Sequence, residues 1–138
     1  MPSVGSCGRS GHTFFYISGK IYVLSRVYSD SCTDSLHLDK FDISSNTWSF
    51  ISTAPIAKYD LTACSAKSKI YVIAGTAGSA QSSVEEYDPS TNQWSTKSPI
   101  PYGRLTEHAC VTVSDKIYLI GGSLNDSGSE KLLYVYDP

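Results

Sequence analysis

Two cysteines and two histidines are the residues of this sequence with the most versatile chemistry. Cys64 and Cys110 lie 46 residues apart, and His12 and His108 each stand at the start of a β-like run. A cysteine nucleophile needs a neighbouring base, and a structural zinc site needs ligands paired at short spacing. Neither arrangement is evident here. Free cysteine packs as a small buried hydrophobe, and we expect that role for both cysteines.

The histidines have two interpretations. A histidine at the start of a strand is a pH-sensitive ligand contact or, more often, a hydrogen-bonded packing residue. His12 and His108 occupy corresponding positions, and the segment between them has Thr62 at that place. His37 has no partner that the sequence identifies. The sequence therefore predicts no catalytic residue, no metal site and no cofactor, and we do not expect an enzyme.

The composition indicates a globular, β-rich protein without a nucleic-acid or membrane partner. The chain has 138 residues, 41% hydrophobic and 17% charged, with a formal net charge of -2. Its positive charges are scattered, and no apolar run approaches the roughly 20 residues that span a bilayer. The first residues do not resemble a secretory signal. We therefore expect a cytoplasmic protein with reduced thiols.

An internal repeat defines the elements that position these side chains. Lys-Ile-Tyr begins three segments, at Lys20, Lys69 and Lys116, which are 49 and 47 residues apart. Two further motifs recur with nearly the same period: Phe41-Asp42, Tyr87-Asp88 and Tyr136-Asp137, and Asn46-Thr47-Trp48 and Asn92-Gln93-Trp94. Self-similarity at such a period is the signature of a repeat architecture.

Each repeat contains four short β-like runs. In the second repeat they are residues 61–66, 70–74, 84–87 and a run that begins at Trp94. The second run is apolar throughout, as expected of a strand buried on both faces. Four antiparallel strands per repeat describe one blade of a β-propeller, so the sequence predicts an all-β fold.

The repeats resemble kelch repeats, in which an apolar strand ends in Gly-Gly and a spaced Tyr and Trp follow. The third repeat has the full pattern at Gly121-Gly122, the second has Ala74-Gly75, and the first has Ser25-Arg26. The resemblance covers the chain from about Gly8 onward. It implies a kelch-type propeller arc of about three four-stranded blades, at residues 8–53, 57–98 and 103–138, the last without its outer strand.

Three blades are fewer than a closed ring needs. A propeller typically closes with about four to eight blades, and an open arc leaves a strand edge and apolar blade faces uncovered. We expect this chain to be part of a longer protein or to assemble with copies of itself.

The long loops of each blade fall on one side. In an up-and-down blade, the loop between the second and third strands lies on the same side as the link between blades. These loops are long here, and long loops on a rigid scaffold commonly bind partners. The candidate partner-binding residues on this side are Arg9, Arg26, Tyr28, Lys58, Tyr59, Tyr102, Arg104, Asn125 and Asp126.

Lys58 and Arg104 are 46 residues apart and are interpreted as members of a ring of cations at the starts of the inner strands. Such a ring can pair with acidic side chains of a peptide. The alternative is that both cations cap neighbouring carbonyl groups between blades.

The resemblance implies protein–protein recognition. Intracellular kelch-like proteins commonly carry a BTB domain that binds cullin, and they present substrates for ubiquitylation. We therefore expect the substrate-binding propeller fragment of a cullin-type ubiquitin-ligase adaptor, with an acidic protein or peptide as ligand and cullin bound through a domain absent here. One alternative is a kelch protein that binds actin. A propeller enzyme acting on sugars or small metabolites is less favoured, because nothing here matches the copper ligands of galactose oxidase.

Overall fold

Three antiparallel blade sheets, one for each repeat, make up the described architecture together with two small two-stranded sheets. The structure is a computed structural model that describes residues 8–29, 32–77, 79–103, 105–124 and 131–138. These residues form strands, turns and loops without a helix, so none of them provides an apolar helix long enough to cross a membrane. The predicted all-β fold, with one propeller-type blade for each repeat, is confirmed. The chain divides into two compact units, residues 1–58 and 59–138.

The first unit contains one four-stranded sheet, blade one, with its strands in sequence order. They are β1 (Arg9–Ile17), β2 (Lys20–Ser29), β3 (Cys32–Asp42) and β4 (Thr47–Thr53). The pairing of β1 with β2 is irregular between Ser10 and Thr13, and Gly11 within this bulge has a φ of 58°. A left-handed residue at this point bends the inner strand, and glycine adopts that conformation without steric cost.

The second unit contains blades two and three. Blade two has four strands in the order β10-β9-β6-β5, and the described part of blade three has three in the order β12-β13-β15. The strands of this unit are β5 (Thr62–Ala66), β6 (Lys69–Ile73), β7 (Thr76–Ala77), β8 (Ser79–Ala80), β9 (Val84–Asp88), β10 (Gln93–Lys97), β11 (Leu105–Thr106), β12 (Ala109–Val113), β13 (Lys116–Ile120), β14 (Ser123–Leu124) and β15 (Leu133–Tyr136).

A cross-strand ion pair recurs in every blade and accounts for two of the repeated motifs. The lysine that opens the second strand pairs with the aspartate after the third strand's aromatic residue, at 3.0, 3.2 and 3.0 Å: Lys20–Asp42, Lys69–Asp88 and Lys116–Asp137. Hydrogen bonds from Ser90 to the Asp88 carboxylate lower the pKa of Asp88 to about 2. These motif residues therefore fix strand register and turn geometry.

The two faces of each sheet are named here by the tyrosine of the second strand. The leading face carries Tyr22, Tyr71 or Tyr118, and the trailing face is the opposite one. Residues paired across antiparallel strands point to the same face. Cys64 pairs with Tyr71 and therefore lies on the leading face of blade two. Leu119 follows Tyr118 and therefore lies on the trailing face of blade three.

The leading face of blade two packs against the trailing face of blade three. The aromatic rings of Tyr71 and Tyr136 lie 6.3 Å apart across this contact. The buried side chains that form this core include Ala66, Tyr71, Ile73, Val84, Leu105, Ile117, Leu119 and Tyr136. Burial of these apolar side chains stabilises the second unit as one body.

A disulfide between Cys64 and Cys110 joins blades two and three. Their Cα atoms are 6.3 Å apart, within the range that a disulfide spans. The predictions that both cysteines are free hydrophobic residues and that their thiols are reduced are therefore wrong for Cys64 and Cys110.

The strand register explains why these two cysteines meet. Cys64 pairs with Tyr71, but the equivalent Tyr118 pairs with Val111 rather than with Cys110. Cys110 thus stands one residue before the true equivalent of Cys64. Because a one-residue step reverses the direction of a strand side chain, Cys64 lies on a leading face and Cys110 on a trailing face.

Candidate functional site

Main-chain hydrogen bonds organise the end of blades two and three at which the blade links and long loops begin. The amide of Tyr59 donates to the carbonyl of Thr76 at 2.9 Å, and the amide of Thr76 donates back at 2.8 Å. In blade three, Thr106 pairs with Ser123 in the same way. The segment before each inner strand therefore lies beside the start of the loop after the second strand, as the topology predicted. We call this region, residues 59–61, 74–77, 98–103, 105–108 and 121–124, the loop end.

Further main-chain bonds join the two blades at the loop end. The amide of Gly75 donates to the carbonyl of Leu105 at 3.0 Å, and the amide of Glu107 donates to the carbonyl of Asp60 at 3.2 Å. Bonds of this kind satisfy backbone groups that would otherwise need water. The loop end is consequently held by the main chain and does not depend on side-chain contacts for its shape.

Glycines at the ends of the second strands permit this close approach. A Cβ atom on Gly75 would lie 2.9 Å from the Tyr59 carbonyl oxygen, and one on Gly122 would lie 2.6 Å from the Thr106 carbonyl oxygen. Both glycines also have a positive φ, 92° and 98°. Gly122 and Gly75 are therefore required by backbone packing, which is the physical reason for the glycine motif. In blade one the corresponding residue is Arg26.

Two carboxylates mark the starts of the inner strands. Asp60 and Glu107 are exposed, occupy equivalent positions 47 residues apart, and have φ values of 52° and 55°. Gly11 holds the same place in blade one. Asp60 and Glu107 give the loop end of the second unit an acidic character that sequence reasoning missed; the shared spacing from the inner-strand motif was the available signal.

Two of the predicted partner-binding tyrosines lie at the loop end. Tyr59 is 40% exposed. Tyr102 is half-buried, and its ring packs edge to face on Tyr134 with the ring centres 5.4 Å apart. Tyrosine presents a rigid, amphipathic contact surface, so Tyr59 is the best-placed anchor for a partner among the described candidates.

Lys58 lies in the interior. Its exposed fraction is 2%, so it does not present an ammonium group to a surface ligand. The pairing of Thr106 with Ser123 and of Tyr59 with Thr76 makes Leu105, not Arg104, the equivalent of Lys58. The predicted correspondence between Lys58 and Arg104 is therefore off by one residue.

Arg9 acts within blade one. Its guanidinium donates to Ser25 Oγ at 3.1 Å and forms an ion pair with the carboxylate of Asp39. Burial raises the pKa of Asp39, and the charge of Arg9 opposes that rise. A buried carboxylate requires such a partner, so Arg9 has a structural role in blade one.

The remaining candidates are divided between described and undescribed positions. Arg26 is half-buried in β2, and the backbone of Tyr28 belongs to the same strand. Arg104, Asn125 and Asp126 lie outside the described residues. Their assignment as partner contacts stays a prediction.

His108 is a buried imidazole at the loop end. No described residue forms a hydrogen bond with either of its ring nitrogens, and burial lowers the pKa of His108 to about 4. His108 is therefore a packing residue, as expected, and the described residues supply no hydrogen bond to it. A Cβ atom added to Gly122 would lie 2.9 Å from the Cβ atom of His108, and one added to Gly75 would lie 2.9 Å from the Cβ atom of Leu61. Leu61, and not Thr62, is therefore the blade-two equivalent of His108.

An ionic cluster surrounds the buried Glu86 on the leading face of blade two. Its carboxylate accepts hydrogen bonds from Tyr71 at 2.8 Å and Lys69 at 2.9 Å, and Lys97 lies 3.1 Å away. Burial opposes ionisation, but these partners outweigh it and lower the pKa of Glu86. Every group of this cluster is engaged within the sheet, so its role is structural. Among the described residues, no three His, Cys, Asp or Glu side chains are grouped to hold a metal ion.

Comparison with known proteins identifies the family. The family model described as the KLHDC2/KLHL20/DRC7 Kelch-repeats domain matches residues 2–122. The chain belongs to the kelch-repeat family. Kelch-like protein 35 of Mus musculus is 29% identical over 95% of this chain, and an F-box/kelch-repeat protein of Arabidopsis thaliana is 28% identical over 99% of it.

These relatives are longer proteins. The kelch-repeat chain spans 22% of the mouse relative and 38% of the Arabidopsis relative. The solved structure of YjhT matches with a TM-score of 0.77 at 21% identity, over 94% of this chain and 49% of that one. At this identity the match shows the shared fold.

Proposed function

We propose that this chain is the partner-binding part of a kelch protein-interaction module and that the loop end contacts the partner. Kelch repeats generally mediate protein–protein interaction. The observation that carries the proposal is Tyr59, an exposed aromatic side chain whose backbone is held by two reciprocal hydrogen bonds to Thr76. A preorganised aromatic residue loses little conformational freedom on binding, which favours it as a contact residue.

Whether the ligand is acidic or basic depends on which charged residues of this region contact it. The expectation of an acidic ligand rested on Lys58 and Arg104, and Lys58 is buried. Asp60 and Glu107 are exposed and would repel an acidic segment that approached them. An acidic ligand therefore requires Arg104, whereas a basic ligand would contact Asp60 and Glu107.

A selection experiment tests the binding proposal. The chain is immobilised, and peptides are selected from a displayed library of random sequences. We expect Tyr59→Ala to weaken binding of the selected peptides by about tenfold or more, because truncation of an anchoring aromatic residue commonly costs this much. Ile43→Ala is the control, since Ile43 is exposed in the turn between β3 and β4 of blade one and is not a residue of the loop end.

The variants also decide the sign of the ligand charge. If the selected peptides are acidic, Arg104→Ala should weaken them and Glu107→Gln should not; basic peptides should show the reverse. Equal loss of binding with Tyr59→Ala and Ile43→Ala, or no enrichment above bare matrix, would contradict the proposal.

We further propose a role in substrate selection for a cytoplasmic cullin-type ubiquitin ligase. Support comes from the relatives, one of which has an F-box in its name together with kelch repeats. Residues 1–138, expressed by themselves, should compete with the intact adaptor for its substrate. Excess chain 1–138 in cells is therefore expected to lengthen the half-life of the bound partner, and Tyr59→Ala should abolish that effect. An unchanged half-life, despite measured binding, would contradict the adaptor role.

A further inference from the structure

The leading face of blade three exposes a contiguous apolar surface. Leu133 is 65% exposed, and four further aliphatic side chains on this face are exposed as well: Val111, Val113, Ile120 and Val135. The strand register makes them neighbours, since Ile120 pairs with Leu133, and Tyr118 pairs with both Val111 and Val135. Exposed apolar patches of this kind mark interaction sites.

This surface is more apolar than its covered counterpart in blade two. Cys64 and Glu86 of blade two correspond to Val111 and Val135 of blade three through their common pairing with the second-strand tyrosine. The blade-two face is buried by the trailing face of blade three. The equivalent face of blade three therefore has the apolar composition of an interface, and no blade among the described residues covers it.

Blade one presents a second apolar surface on its trailing face. Phe14 is 76% exposed and Tyr16 is 68% exposed on β1, and Phe50 is exposed on β4, at the other edge of the same sheet. The register places Phe14, Val23 and Phe50 on the same face, through their pairing along β1, β2, β3 and β4. Large exposed aromatic side chains on a sheet face favour burial against another apolar surface.

We propose that two copies of this chain associate head to tail, the leading face of blade three in one copy against the trailing face of blade one in the other. Blades two and three show that a leading face is covered by the trailing face of another kelch blade. The charged side chains on these two faces do not oppose the contact, because Asp39 is paired with Arg9 and Lys116 is paired with Asp137.

The contact joins two different faces, which has consequences for assembly. One copy in the contact keeps a trailing face and the other keeps a leading face, so a second contact either closes the pair or adds another copy. Both outcomes give a mass of at least two chains, and both require one intact face of each kind.

Two single variants and one control test this contact. Phe14→Glu places a charge on the trailing face of blade one, and Val111→Glu places one on the leading face of blade three. A charge buried without a partner opposes association, so we expect each variant to weaken self-association about tenfold or more. Ile43→Glu is the control, since this exposed residue lies on a turn and on neither face.

Mass in solution is measured by sedimentation over a range of concentrations, with circular dichroism to verify that each variant is folded. We expect the unaltered chain and Ile43→Glu to have at least twice the mass of one chain, and both face variants to be monomers. A mixture of Phe14→Glu and Val111→Glu should regain a 1:1 complex, because it contains one intact face of each kind.

Three results would overturn the proposal. The first is a monomeric unaltered chain at all concentrations, in which case the apolar faces serve another partner. The second is retained association of either folded face variant, which would indicate a contact between like faces. The third is a mixture of the two variants that stays monomeric.

Discussion

His108 brings an imidazole into the interior of the loop end without a hydrogen-bond partner among the described residues. Its blade-two equivalent is Leu61, so the repeat itself supplies a substitution that fits this backbone. Burial disfavours the charged imidazolium, which is why the pKa of His108 falls to about 4 from its ordinary value of 6.5. The unfolded chain therefore binds a proton at a higher pH than the folded chain does.

The first prediction concerns the pH dependence of stability. The free energy of unfolding has its full value, as far as His108 is concerned, above about pH 6.5. It decreases by up to roughly 3 kcal/mol as the pH falls towards 4. His108→Leu should remove this dependence and leave stability at pH 7 equal or greater, as measured by urea unfolding at pH 7, 6 and 5. A variant with the unaltered pH slope would show that His108 is not buried in the neutral form.

The second prediction concerns the disulfide. The Cys64–Cys110 bond closes a loop of 46 residues and restricts the unfolded chain. Reduction, or the pair of changes Cys64→Ser and Cys110→Ser, should lower the free energy of unfolding by roughly 2–4 kcal/mol. Thermal melts with and without reductant measure this. A difference between the two melts that persists in the double variant would contradict the assignment.

The strands show which features a sequence repeat can predict. Motif spacing placed all three sheets, because the lysine–aspartate pair and the Tyr and Trp positions set strand register directly. The predicted repeat equivalents of Cys110 and Lys58 were wrong, because the repeats were matched at a spacing of 46 residues instead of 47. In a strand that difference reverses the face, and only the backbone pairing reveals it.

The loop end was predicted in its topology but not in its details. Spacing and loop length placed the long loops beside the blade links. The two-residue pairing of β11 with β14 carries no sequence motif, since it arises from contacts between distant segments. The positions of Asp60 and Glu107 follow the repeat spacing, but their left-handed backbone conformation was not predicted.

The third prediction concerns the glycine that lets these segments meet. Gly122→Ala would place a Cβ atom 2.6 Å from the Thr106 carbonyl oxygen, at a φ of 98°. Gly19→Ala is the matched control, because Gly19 has a φ of 79° with no atom within 4 Å of the added Cβ. Both changes carry the backbone strain of roughly 1–2 kcal/mol, and only Gly122→Ala adds a clash. Equal losses of stability in urea unfolding would show that the close approach is absent.

At the scale of the molecule, the chain has two kinds of exposed surface with different chemistry. The loop end presents Tyr59 with two carboxylates, whereas the leading face of blade three presents aliphatic side chains and the trailing face of blade one presents aromatic ones. Val111→Glu alters a blade face and leaves the loop end untouched, so its monomeric form is expected to bind selected peptides with unchanged affinity per chain. Fluorescence anisotropy with a labelled peptide measures this, and a parallel loss of peptide binding would place the ligand on the blade face.

The most direct test of the binding surface is hydrogen exchange of the chain with and without a selected peptide, followed by mass spectrometry. The account predicts slower exchange at residues 59–61, 74–77 and 105–108, with the turns at residues 67–68 and 114–115 unchanged. Protection at those turns, with the loop end unaffected, would contradict the central claim that this kelch chain binds its partner through the loop end.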